Sequence, residues 1–127
     1  MTAVDSYDPD SAPAPTAWLE TDDGERIELV SSYHRLKQIN LPNLQLHAVV
    51  HVVVENQIAL GEAVVVETLA RLRSEGLSRH DAVHAIGSVL ADNLYELMQE
   101  DAGPEGDLYR QYLERLRRLT AESWRIG

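Results

Sequence analysis

Between Pro42 and Gly61 the chain runs for 18 residues without a helix breaker, and this segment constrains the fold more than any other. It reads NLQLHAVVHVVVENQIAL. This length is long for a strand and ordinary for a helix, although the β-branched stretch VVHVVVE alone is typical of a buried strand. The spacing favours the helix, because an inward stripe recurs at intervals of three and four residues. The stripe consists of Leu44, His47, Val50, His51, Val54, Glu55 and Ile58.

Four further helices are predicted around this central one. DDGERIELVSSYHRLKQ reads as a helix capped by Asp22 or Asp23, with a hairpin through WLETDDGERIEL as the alternative. GEAVVVETLARLRSEG follows, and Gly76 suits its C-cap. Ser78 and Asp81 then stand in capping-box relation ahead of a long amphipathic run. The last helix is DLYRQYLERLRRLTAESW.

These segments predict an all-α fold, a single-domain bundle of four to five helices over residues 18–127. The positions expected to face the core outside the central helix are Ile27, Val30, Tyr33, Leu36, Val65, Thr68, Leu69, Leu72, Leu108, Tyr112, Leu116 and Trp124. Residues 1–17, MTAVDSYDPDSAPAPTA, are rich in Pro, Ser, Asp and Ala. Ordering them would cost more backbone entropy than burial could recover, so a disordered tail is expected.

Composition limits the partners that the chain can have. The net charge is -10, and seven carboxylates but only one arginine lie before residue 27. Nucleic acid and anionic membrane are therefore not expected as partners. The basic stretch RQYLERLRRL reads as a solvated helix face. No signal-like start and no apolar run of membrane-spanning length occur, so cytoplasmic residence is expected.

Four of the five histidines form two pairs at four-residue spacing, His47 with His51 and His80 with His84. Residues four apart share a helix face, so each pair could present two imidazoles to one ion. Glu55 continues the first series by one more turn. Because the chain has no cysteine, nitrogen and oxygen must supply any metal ligands. We expect a site between two helices built from His51, Glu55 and one or both of His80 and His84, with His47 completing it or orienting a ligand.

A metal-free hydrogen-bonded network between the same residues is the alternative. Either way these side chains need partners, since one buried unpaired polar group costs about 1 to 3 kcal/mol. The sequence lacks the HExxH arrangement of zinc proteases and the Glu-x-x-His motifs of ferritin-like di-iron bundles. Neither hydrolysis nor oxygen chemistry follows from it.

The stretches HAVVHVVVENQ and RHDAVHAIGSVL resemble a family of small, uncharacterised bacterial proteins. Members share a His-x3-His-x3-Glu helix and, after an intervening segment, His-x3-His-Ala-Ile. The resemblance covers about residues 40–97. It implies that His47, His51, Glu55, His80 and His84 are shared motif positions of a helical fold, and it implies no activity.

Two hypotheses follow from the sequence. In the first, the chain is a soluble bacterial protein that binds a divalent transition metal such as Zn, Fe, Ni or Mn. In the second, it is a non-catalytic protein-interaction module whose histidines hold the core together. A homodimer is expected with either, because the valine-rich central helix has more apolar surface than five short helices cover.

Overall fold

A computed structural model describes residues 7–36, 44–99 and 105–126, and this part of the chain contains helices and no strand. The predicted all-α class is confirmed. The helices are α1 Pro15–Glu20, α2 Asp23–Leu36, α3 Leu44–Ala59, α4 Ala63–Ser74, α5 Arg79–Gln99, α6 Glu105–Arg118 and α7 Ala121–Ile126. Five of them correspond to predicted segments, and the six-residue helices α1 and α7 are additional. The chain divides into two compact units, Met1–Glu62 and Ala63–Gly127, and the expectation of one domain over residues 18–127 stays a prediction.

Helix α3 is the central element of the first unit. It is a helix along the whole of VVHVVVE, and both α1 and α2 pack against it. The buried apolar side chains gathered there are Tyr7, Trp18, Val30, Ala48 and Val52. Val50, Val54, His51 and Glu55 are buried as the stripe predicts, and Ile58 is half-buried. The side chain of Leu44 lies outside the described residues.

Two helix ends in the first unit are capped, and one of these caps, at the start of α2, was predicted. The Asp22 carboxylate accepts a hydrogen bond from the Gly24 backbone N–H at 3.1 Å, so Asp22 caps α2 and the alternative hairpin does not form. At the other end of the unit, α3 closes on Gly61, whose φ is 76°. The N–H groups of Gly61 and Glu62 donate to the carbonyls of Ile58 and Gln57, which is a Schellman motif.

The second unit is built from α4, α5 and α6, which pack against one another, with α7 against α5. Its largest fully buried apolar side chains are Val65, Leu72, Val83, Ile86 and Leu116, together with nearly buried Tyr112. Helix α4 ends in a second Schellman motif at Gly76, which has a φ of 105° and confirms the predicted C-cap. Ser78 caps α5 through a 3.1 Å hydrogen bond from the Asp81 N–H to its hydroxyl.

The prediction of one continuous last helix is wrong in one respect. Helix α6 ends at Arg118, and the short helix α7 begins at Ala121. Thr120 and Ser123 cause the break by forming a reciprocal capping box. The Ser123 N–H donates to the Thr120 hydroxyl at 3.0 Å, and the Thr120 N–H donates to the Ser123 hydroxyl at 3.1 Å. Trp124, expected to face the core, is half-buried in α7.

The first described residues make close contacts. Tyr7 is 8% exposed and Pro9 is also buried, whereas Asp8 and Asp10 are exposed. Residues 1–6 lie outside the described part, so the predicted tail can be compared with the structure only from Tyr7 onward. Among the described residues, no single helix has both the length and the apolar character needed to cross a membrane.

Candidate functional site

The two predicted histidine pairs fall one in each unit, and each is a group of contacting side chains. In the first unit, α3 presents His47, His51 and Glu55 on successive turns. His51 and Glu55 are each only 2% exposed, and His47 is half-buried. The rings of His47 and His51 lie 5.3 Å apart between centroids. The four-residue spacing therefore places these three groups along one face, as predicted.

The side chain that completes this group is Tyr7. Its hydroxyl donates to Glu55 Oε2 at 2.6 Å and lies 3.0 Å from Nδ1 of His51. The 2.6 Å distance is in the range of hydrogen bonds to a charged acceptor. One phenol thus contacts both buried polar groups of α3 and links them into a chain, Glu55–Tyr7–His51.

Aromatic neighbours hold Tyr7 in place. Its ring lies 5.7 Å from Trp18, 6.1 Å from Tyr33 and 5.8 Å from His51, with the last two contacts edge to face. Burial raises the pKa of Tyr33, and the negative charges of Asp10 and Asp8 raise it further. The two carboxylates therefore act on Tyr33 from the same short segment that carries Tyr7.

Sequence reasoning missed Tyr7 because it treated residues 1–17 as having almost nothing to bury. One signal was present: Tyr7 is the only aromatic residue in that stretch. An isolated aromatic residue in a Pro- and Asp-rich segment predicts a buried contact only when the residues that it packs against are known. Here those residues are His51 and Glu55, which lie 44 and 48 residues further along the chain.

A second polar cluster fixes α1 and α2 on α3. Oδ1 of Asn56 accepts hydrogen bonds from Nε1 of Trp18 and Nη1 of Arg26, both at 2.9 Å. The buried Arg26 also donates to the carbonyls of Leu19 and Thr21 at 2.7 Å, next to the C-terminal end of α1. Through these contacts Asn56 joins α1 and α2 to α3, which sets the position of the segment that follows Tyr7.

In the second unit, His80 and His84 lie on adjacent turns of α5 and are both half-buried. Their Nε2 atoms are 3.1 Å apart, and their rings meet edge to face at 4.4 Å. This separation suits an N–H···N hydrogen bond. It also suits two lone pairs on one ion, because ligands held about 2.0–2.1 Å from zinc are roughly 2.9 Å apart at a right angle and roughly 3.4 Å apart at a tetrahedral angle.

The structure therefore brings His47, His51 and Glu55 together in the first unit and His80 with His84 in the second. The expectation that one ion draws ligands from both helices joins residues of different units and stays a prediction. Within its own unit, Glu55 serves as the acceptor for Tyr7. No family model, curated protein or solved structure matches this chain.

Proposed function

We propose that this chain is a transition-metal-binding protein whose paired histidines supply imidazole nitrogens to a divalent ion such as Zn, Fe, Ni or Mn. The observation that carries the proposal is the 3.1 Å separation of the Nε2 atoms of His80 and His84. Two nitrogens at that distance are close enough to bind one ion. Imidazole is a ligand suited to zinc, iron and nickel, and the chain has no cysteine to favour softer ions.

The group around His51 supports the same proposal. Histidines that bind metals usually donate their second ring N–H to a carboxylate, a carbonyl or a similar acceptor. His51 meets such an acceptor at Nδ1, where the Tyr7 oxygen lies at 3.0 Å. Glu55 in turn accepts the proton of Tyr7. This is the supporting arrangement that a ligating histidine needs.

A metal-free structural network is the second candidate, because the chain Glu55–Tyr7–His51 gives each of these groups a hydrogen bond without an ion. The 3.1 Å contact of His80 with His84 can likewise be a hydrogen bond. In that case the histidines hold the helices together, and the chain acts as a non-catalytic interaction module.

Calorimetric titration of the full chain with Zn²⁺ and Ni²⁺, after treatment with a chelator, separates the two candidates. The main variant is His80→Ala/His84→Ala, because both side chains are half-buried and the fold should tolerate their loss. His47→Ala/His51→Ala tests the first unit, with circular dichroism to check folding. His34→Ala is the matched control, since it removes a histidine outside both pairs.

Stoichiometric binding by the wild type and by His34→Ala, with loss of at least one ion in a double variant that remains folded, supports metal binding. Absence of binding by the wild type overturns it. Equal binding by the wild type and both double variants also overturns it, because the ion would then be held elsewhere. A thermal midpoint that is indifferent to chelator and metal favours the structural network.

A further inference from the structure

The hydroxyl of Tyr7 stands between a buried carboxylate and a buried imidazole, and it has only one proton to give. We infer that Tyr7 is a positioning residue: by donating to Glu55 it holds His51 in the Nδ1–H tautomer, which makes Nε2 of His51 the metal-binding atom. The part of this inference that concerns metal binding rests on the proposed function. The part that concerns the tautomer of His51 depends on the protein alone.

The hydrogen-bonding capacity of each group decides where the protons lie. Tyr7 donates to Glu55 at 2.6 Å, so this contact uses the single phenolic proton. The phenolic oxygen then has only lone pairs left for the ring nitrogen 3.0 Å away. Nδ1 of His51 must therefore carry a proton and donate it. In a neutral imidazole, this leaves the lone pair on Nε2.

This assignment differs from what His51 would do in water, where neutral imidazole side chains favour the Nε2–H tautomer. A histidine in that form must move its proton before Nε2 can bind a metal. The acceptor supplied by Tyr7 removes this step, because the proton already lies on the other nitrogen. Preorganisation of this kind is how residues outside the ligand set raise metal affinity.

The tautomer can be read directly from long-range ¹H–¹⁵N correlations of the histidine rings in the metal-free chain at neutral pH. We expect the Nδ1–H pattern for His51, assigned by comparison with a His51→Asn variant. Tyr7→Phe keeps the ring against Trp18 but removes the hydroxyl, and the pattern should change to Nε2–H. Tyr33→Phe is the matched control, because it removes a neighbouring phenol and should leave His51 unchanged.

Two substitutions of Glu55 test the direction of the hydrogen bonds that link Glu55, Tyr7 and His51. In Glu55→Gln the amide oxygen can still accept the hydrogen bond from Tyr7, so His51 should keep its Nδ1–H tautomer. Glu55→Met has similar length and no such oxygen, which frees Tyr7 to donate to His51 and should produce the Nε2–H tautomer. An Nε2–H pattern in the wild type overturns the inference. An Nδ1–H pattern that persists in both Tyr7→Phe and Glu55→Met overturns it as well.

The effect of Tyr7 on metal affinity is measured by Zn²⁺ titration in a His80→Ala/His84→Ala background, which leaves the pair of His47 and His51. Tyr7→Phe should weaken binding there by about 10- to 100-fold, the usual effect of losing a residue that orients a ligand. Unchanged affinity overturns the positioning role in metal binding. If the parent chain binds no zinc there, the proposed function of this pair fails, and the ring correlations alone decide whether Tyr7 sets the tautomer.

Discussion

Glu55 is a carboxylate at the centre of a valine-rich helix, and it accepts a hydrogen bond from Tyr7, which lies 48 residues away in the chain. A buried acceptor without a partner costs about 1 to 3 kcal/mol, and more if it is charged. Tyr7 removes this penalty for Glu55 and gives Nδ1 of His51 a partner as well. His51 and Glu55 are thus tolerated in α3 because a residue outside the helix makes hydrogen bonds with both.

Asn56 offers a sharper test of the same principle. Its single Oδ1 accepts from Trp18 and from Arg26, so Asn56→Ala would leave a buried indole N–H and a guanidinium N–H without their acceptor. We expect a loss of about 2 to 3 kcal/mol in the free energy of unfolding. Urea denaturation followed by circular dichroism measures it.

Asn56→Asp is the control for that measurement. It keeps an oxygen in the same place and adds a charge opposite Arg26, so most of the stability should be retained. Equal destabilisation by Ala and Asp would show that the shape of the amide, rather than its acceptor, matters at this position.

Tyr33 reports on the segment that carries Tyr7. Its pKa lies above the ordinary value of 10.0 because of burial first and the charges of Asp10 and Asp8 second. A raised folded-state pKa favours the neutral phenol in the folded protein. The resulting stabilisation is fully present below pH 10 and is lost as the pH rises through the folded-state value.

We expect Asp8→Asn/Asp10→Asn to lower the pKa of Tyr33 while leaving it above 10.0, because burial remains. The phenolate absorbance during an alkaline titration, taken as the difference from Tyr33→Phe, measures this. A Tyr33 that titrates at its ordinary pKa in the parent chain would contradict the burial described here.

At the scale of helices, local signals in the sequence predicted most of the boundaries. Asp22, Gly76 and Ser78 each act within four residues along the chain, so their roles follow from spacing alone. The end of α6 is different. Arg71 of α4 donates to the carbonyls of Leu116 and Leu119, and Glu75 accepts from the Ala121 N–H at 2.7 Å. These partners lie more than 40 residues away, so spacing does not reveal them, and the local capping signal of Thr120 and Ser123 at the start of α7 was overlooked.

Gly61 gives an element-scale prediction that does not depend on packing. Its φ is 76°, and a Cβ added there would meet nothing within 4 Å. Gly61→Ala should therefore cost only the strain of a left-handed alanine, about 1 to 2 kcal/mol, seen as a lower urea midpoint with an unchanged slope.

Asn tolerates this backbone conformation better than Ala does, so Gly61→Asn should cost less. If the two variants were equally stable, the end of α3 would not require a left-handed residue in solution.

For the whole molecule, the pattern of the sequence predicted the helical class and the inward face of α3, because both depend on periodicity. It also predicted which residues share a helix face on adjacent turns, including both histidine pairs. It did not predict the cluster of Trp18, Arg26 and Asn56 or the contact of Tyr7 with Glu55. Those features depend on which distant segments meet, and periodicity carries no information about such pairing.

Removal of residues 1–10 tests how the start of the chain contributes to global stability. The deletion takes away buried Tyr7 and Pro9, the hydroxyl that serves Glu55 and His51, and a cover for Tyr33 and Trp18. Burial of one large side chain is worth about 1.5 to 3 kcal/mol and its hydrogen bonds about 1 kcal/mol each, while release of backbone order offsets part of this.

We therefore expect the deleted chain to lose about 1 to 3 kcal/mol of unfolding free energy and the pKa of Tyr33 to fall toward its ordinary value. A shorter deletion of residues 2–6, which keeps Tyr7, is the matched control and should preserve the high pKa of Tyr33. A segment that behaved as an unattached tail would leave the urea midpoint of both chains unchanged. Since Tyr7→Phe keeps the ring and loses only the hydroxyl, its smaller effect separates hydrogen bonding from burial in the same measurement.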